Sequence, residues 1–191
     1  MPTPMKDIFA AFGNEVFRPL VTLLLPGAVA ISTWLAILID RYPGLRKFGS
    51  EYSTEASLLL LCAALFAGMM IEDFGSRLES RFDVLLNKQT KGALAQAWSG
   101  YLRVAFKTEP VAEKYLTTLV LRLKFELGGV FGLLIAAVGF LFLPPGTAGH
   151  RGLAALVATG LAFYLAMEAK ATHRILHQVR MEILGVITVI G

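Results

Sequence analysis

Arg77, Arg81 and Lys88 fall on one side of a helical stretch, and Lys91, Trp98, Tyr101, Arg103, Phe106 and Lys107 follow soon after. Cations interleaved with aromatic rings are what a nucleotide or single-stranded nucleic acid requires, the charges for phosphate and the ring faces for base stacking. The same groups also suit anchoring to anionic lipid headgroups, the commoner outcome of such a pattern beside a membrane. The stretch from Glu72 to Glu126 sets seven acids against nine cations, so it is no polybasic tract; around the axis of an oligomer its small surplus would multiply. Other reactive groups are sparse. Glu72, Asp73 and Glu168 would have to line a polar pocket for a lipid-acting enzyme to exist. His173 and His177 share a helix face at a four-residue spacing, but a metal needs at least one further ligand and no HExxH-like pattern is present. Cys62 stands alone in an apolar run, which excludes an intramolecular disulfide or a thiolate cluster. There is no nucleophile elbow, P-loop or dinucleotide fingerprint. The expectation is a non-enzymatic protein with no cofactor and no metal.

The elements that carry these residues are apolar. Of 191 residues 55% are hydrophobic and 17% charged, with a mean hydropathy of +0.63; ordinary soluble domains are about a quarter charged. Leu20 to Ile39 holds 20 residues without an ionisable group, enough at 1.5 Å per residue to cross roughly 30 Å of hydrocarbon. Ala56 to Ile71 extends through Asp73, Leu127 to Leu143 ends at two prolines, and Leu153 to Glu168 follows the breaker-rich turn PPGTAGHRG. The fold class expected is all-α: a polytopic membrane protein with four spans at about 20–39, 56–73, 127–143 and 153–168. A helical segment, 74–126, lies between spans two and three, and an amphipathic C-terminal helix, 169–191, follows span four.

Fourteen of the 18 Lys and Arg residues precede span one, lie between spans two and three, or follow span four; Arg41, Arg46, Lys47 and Arg151 make up the rest. By the positive-inside rule both termini and the long middle segment are expected in the cytoplasm. Span one begins late and lacks a small-residue cleavage site, so it reads as a retained helix rather than a signal peptide. Ile8, Phe9, Phe12, Val16 and Phe17 before it suit a short interfacial helix. Phe74, Leu78, Phe82, Leu85 and Leu86 carry span two outward to about Asn87; Gly92 interrupts, Ala93 to Lys107 resumes, and Pro110 starts a helix continuing through span three. In the tail, Leu176, Val179, Ile183, Val186, Ile187 and Ile190 form an apolar stripe opposite Arg174, Gln178 and Glu182. It would bind the middle segment, a neighbouring subunit or the membrane interface.

No Asp, Glu, Lys, Arg or His lies inside the four apolar cores, whose nearest acids Asp40, Glu72, Asp73 and Glu168 sit at their ends; this argues against a proton-coupled carrier and, with no histidine at depth, against a haem-binding subunit. An ion pathway would be lined by apolar groups with Thr22, Ser32, Thr33 or Thr159, and would gate by dewetting. Pro26 and Gly27 interrupt span one as a tolerated kink or as a hinge. Gly128, Gly132, Ala136 and Gly139 on span three, and Ala154, Ala158, Ala162 and Ala166 on span four, form small-residue ridges that let helices approach closely. They serve either the packing of the hairpin on itself or the packing of subunits.

With FRPLVTLLLPG (Phe17 to Gly27) entering span one and IEDFGSRLESRFD (Ile71 to Asp83) leaving span two, the plan resembles small four-span membrane effectors of bacterial anti-phage defence, of the Hailong and Kiwa kind. The resemblance is architectural and spans most of the chain. It implies a homo-oligomeric pore in the bacterial inner membrane, gated from the cytoplasm by a nucleotide, an oligonucleotide or a partner protein, whose opening depolarises the host. Arg77, Arg81, Lys88, Lys91, Trp98, Tyr101, Arg103 and Lys107 would then receive the ligand. The alternative is a non-catalytic anchor that recruits a cytoplasmic protein through its C-terminal helix.

Overall fold

The computed structural model describes residues 4–89, 111–144 and 148–190, with side chains described over 20–81, at 84, over 115–144 and 150–180, and at 182. The described regular structure is all helical: α1 (Pro4–Arg41), α2 (Pro43–Glu51), α3 (Ser53–Gln89), α4 (Val111–Leu141) and α5 (Ala148–Ile190). Four of these contain windows long and apolar enough to cross a membrane, Leu20–Arg41, Ser53–Arg81, Tyr115–Leu141 and His150–Arg180. Water is a poor solvent for what they expose. Leu58 to Leu61, Phe66, Met69 and Met70 on α3, and Leu153, Leu156, Leu161, Phe163 and Tyr164 on α5, all stand open. So broad an apolar surface on a single chain belongs in lipid.

Helix α1 runs unbroken through Pro19 and Pro26, so the stretch expected as a separate interfacial helix is the first part of a rod about 57 Å long. The segment expected to lie beyond span four is likewise continuous with it, within the 43 residues of α5. The connection between the first two spans is itself a helix, α2, started by Pro43 after Tyr42 in extended conformation. α4 ends at Leu141, and the chain leaves the helix through Phe142, Leu143 and Pro144. Phe142 N–H donates to Gly139 O at 3.0 Å, and Arg151 Nη1 donates to Leu143 O at 2.6 Å.

The contacts of Gly27 with Ala64, Gly132 with Pro26, Lys124 with Glu72 and Arg122 with Glu168 set the helices in alternating directions, so the start of α1 and the end of α5 share one end of the molecule, and α2, the end of α4 and the start of α5 share the other. We call these the terminal end and the hairpin end. α4 is the hub: it packs on α1, α3 and α5, whereas among the described residues α5 packs only on α4. Burial reflects this, with 44% of the α4 window buried against 22% or less for the other three. A cluster of Leu116, Leu119, Leu123, Leu127, Ala169 and Leu176, flanked by Leu78, Val120 and Val179, continues the core along α4 and α5 toward the terminal end.

Candidate functional site

Close helix contacts surround the Pro26–Gly27 pair. A Cβ on Gly27 would overlap the carbonyl oxygen of Ala64 on α3, and one on Gly68 would overlap that of Leu23 on α1. These two glycines let α1 and α3 touch backbone to backbone. On its other side Pro26 fills the face of α4: a Cβ on Gly128 would come within 3.1 Å of its ring, and one on Gly132 within 2.6 Å of its carbonyl oxygen. Further along, Gly139 lies against buried Thr33, and Trp34 Nε1 donates to Ile135 O at 3.3 Å. The Pro–Gly pair is therefore the contact point of three helices within one continuous α1.

This placement directs the two small-residue ridges to different partners. Gly128, Gly132 and Gly139 meet α1, not the other arm of their own hairpin. Ala136 is buried as well. On α5 the buried or half-buried line runs Ala155, Ala158, Ala162, Leu165, Ala169, Thr172, Leu176 and Val179, alternating steps of three and four as two helices crossing at a shallow angle require. Ala158 and Ala162 lie on it, Ala154 is half-buried beside it, and Ala166 is exposed.

Where the apolar runs end toward the terminal end, charges form a layer. Arg122 and Lys124 are two residues apart on α4, so they point to nearly opposite sides of the helix. Lys124 Nζ meets Glu72 Oε1 on α3 at 2.6 Å, while Arg122 reaches Glu168 Oε2 on α5 at 2.8 Å and Glu126 Oε1 on its own helix at 2.6 Å. α4 is thus tied to a neighbour on each side. Glu126 is only 4% exposed, and its Oε2 is buried with no hydrogen-bond partner among the described residues. A cavity of about 10 Å³, bounded by Thr22, Pro26, Gly68, Ile71, Glu72, Lys124 and Gly128, lies between this layer and the proline contact. It matches a single water molecule and is far too small for a nucleotide.

Glu126 was not singled out by the sequence, because it closes the segment before the third apolar run. The signal was present in the spacing: Leu116, Leu119, Leu123 and Glu126 continue α4's three-and-four seam toward α5, and a carboxylate on that seam has to be buried.

Of the cationic candidates only Arg77 and Arg81 have described side chains, four residues apart on α3. Arg77 pairs with Asp73 at 2.8 Å and sits 5.9 Å from the centre of the Phe74 ring; Arg81 is exposed. Lys88 falls in α3, its side chain outside the described set, and Lys91, Trp98, Tyr101, Arg103, Phe106 and Lys107 lie outside the described residues, as do Gly92 and the helix expected over 93–107. Glu72 and Glu168 both have cationic partners. His177 is half-buried, and among the described residues no three His, Cys, Asp or Glu side chains converge as a metal site would require. No protein-family model, curated protein or solved structure matches the chain; the functional reading rests on its own residues.

Proposed function

We propose that the protein is a homo-oligomeric membrane channel of the bacterial inner membrane, with both termini in the cytoplasm. It opens in anti-phage defence when a nucleotide or oligonucleotide binds the segment between α3 and α4. The observation that carries this reading is continuity. α3, α4 and α5 each run without a break from the apolar windows past the ion-pair layer toward the terminal end, so a displacement of their outer turns is transmitted into the spans. Glu72–Lys124 and Arg122–Glu168 tie α4 to α3 and to α5 at that layer. Phosphate would be received by Arg81, Lys88, Lys91, Arg103 and Lys107 and bases by Trp98 and Tyr101, whereas Arg77 would first have to release Asp73. The test is the mass of the detergent-solubilised particle with any copurifying nucleotide, followed by ion flux from liposomes challenged with mono-, cyclic di- and short oligonucleotides. A discrete oligomer with ligand-dependent flux is expected. A monomer that passes no ions under any of these ligands would overturn the proposal.

One observation favours a second reading, the anchor for a cytoplasmic partner. α5 continues as helix to Ile190, carrying the stripe Ile183, Val186, Ile187 and Ile190 beyond Val179, which packs on the α4 cluster. Truncation after Glu182 spares Thr172 and Leu176, both buried. If this reading holds, it abolishes capture of the partner while leaving membrane permeability unchanged.

A further inference from the structure

α2 has no buried residue, yet it is firmly held. One residue joins it to each neighbouring helix: Tyr42 N–H donates to Leu38 O at 2.9 Å on the α1 side, and Ala56 N–H donates to Tyr52 O at 2.9 Å on the α3 side. Its two sides differ. Leu45 and Phe48 share one arc of the helix, the Tyr52 ring after it stacks on Phe48 with centres 5.4 Å apart, and Tyr42 caps its start; Leu45, Phe48, Tyr52 and Tyr42 are 43%, 37%, 51% and 53% exposed. Arg46, Lys47, Ser50 and Glu51 occupy the opposite arc, with Lys47 and Glu51 paired at 3.6 Å.

We infer that α2 lies in the headgroup–acyl boundary of the bilayer at the hairpin end, its Leu45–Phe48–Tyr52 arc against lipid and its Arg46–Lys47–Glu51 arc in water. The inference rests on the reading of α1 and α3 as membrane spans. Two observations select lipid as the occupant. Both helices that flank it also expose apolar residues near their junctions with α2, Leu38 and Ile39 on α1 and Leu58 and Leu59 on α3. One-residue links at both ends also leave α2 no freedom to leave the level at which those spans emerge. Tyrosine and phenylalanine with flanking cations are the residues that settle at this depth. A second copy of the chain is a poorer occupant. A fully buried aromatic contributes about 150–250 Å², so this half-covered arc offers on the order of 300 Å², well under the roughly 800 Å² per partner of a stable protein interface. Anchored in this way, α2 fixes the depth of α1 and α3 at one end and leaves the terminal end free to move.

The test uses full-length protein in phosphatidylcholine liposomes with an environment-sensitive fluorophore on one cysteine. Phe48→Cys and Lys47→Cys are each labelled in a Cys62→Ala background, and native Cys62, exposed on the apolar face of α3, is the control. Emission from position 48 should shift to the blue and be quenched by lipids brominated high in the acyl chain, while position 47 should be quenched by aqueous iodide. Iodide quenching at 48 equal to that at 47 would overturn the inference, and so would shielding of 48 from both quenchers, which would mean that protein covers it. The Cys62 label separates this from the wider reading. If bromolipid quenches position 62 but not 48, α2 alone is misplaced; if it quenches neither, the membrane spans themselves are wrong.

Discussion

Glu126 shows how unequal the two ends of one ion pair can be. Its carboxylate is almost fully buried with one oxygen unpartnered, whereas the Arg122 side chain is 54% exposed and also holds Glu168. Removing one partner of a buried pair costs about 3–5 kcal/mol when the charge left behind is buried; loss of Arg122 strands Glu126, whereas loss of Glu126 leaves an Arg122 that is half in solvent and still paired with Glu168. Arg122→Ala should therefore destabilise by about 3 kcal/mol, the lower end of that range because Arg122 is half in solvent. Glu126→Leu should leave the melting temperature nearly unchanged, since it also removes the unsatisfied oxygen, itself worth about 1–3 kcal/mol. Thermal unfolding in detergent checks the order; a larger loss from Glu126→Leu than from Arg122→Ala would mean that the carboxylate does necessary work at the α4–α5 seam. Breaking Lys124–Glu72, where both side chains are about a third exposed, should cost only about 1 kcal/mol or less.

At the scale of helices, glycines at similar depth have opposite roles. Gly68 and Gly132 face backbone, while nothing lies within 4 Å of a Cβ on Gly160. Gly68→Ala and Gly132→Ala should each destabilise by about 1–3 kcal/mol, since the helices must separate to admit a methyl group. Gly160→Ala should stabilise by about 0.5–1 kcal/mol, since it removes only the entropic cost of a helical glycine. Melting of the three variants checks the contrast, and a destabilising Gly160→Ala would place a neighbouring subunit against α5. The helices themselves were legible in the sequence because uncharged length and 3.6-residue periodicity are local properties. Their partners were not. A row at strict four-residue steps drifts by about 40° per step, so Ala154 to Ala166 cannot all follow one neighbour, and the alternating seam beginning at Ala155 takes their place. Equally, nothing local to Gly132 says that Pro26, more than a hundred residues earlier, will fill it. α2 was not anticipated, because nine residues of a polar connection are too short to show a helical period.

For the whole molecule, the arrangement limits where ions can pass. Within one protomer the contact of α1, α3 and α4 closes on backbone at Gly27, Gly68 and Gly132, and the cavity beside it holds about one water. Under the proposed channel reading the pathway must therefore run between copies, along faces a single chain leaves exposed. Two exposed hydroxyls sit at mid-span on such faces: Ser32 on α1 and Thr159 on α5, whose hydrogens are spent on Val29 O and Ala155 O of their own helices. A passage lined so sparsely by polar groups stays closed by dewetting, and one added amide per subunit lowers that barrier. If α5 lines the pore, Thr159→Asn should raise ligand-free liposome flux by about fivefold for each kcal/mol removed from the barrier, while Ser32→Asn leaves it unchanged. If α1 lines it, the two variants exchange behaviour. Should neither raise flux while both retain the wild-type particle mass, the pore between copies is excluded. The unbroken helices would then serve the alternative, an anchor that holds a cytoplasmic partner at the membrane.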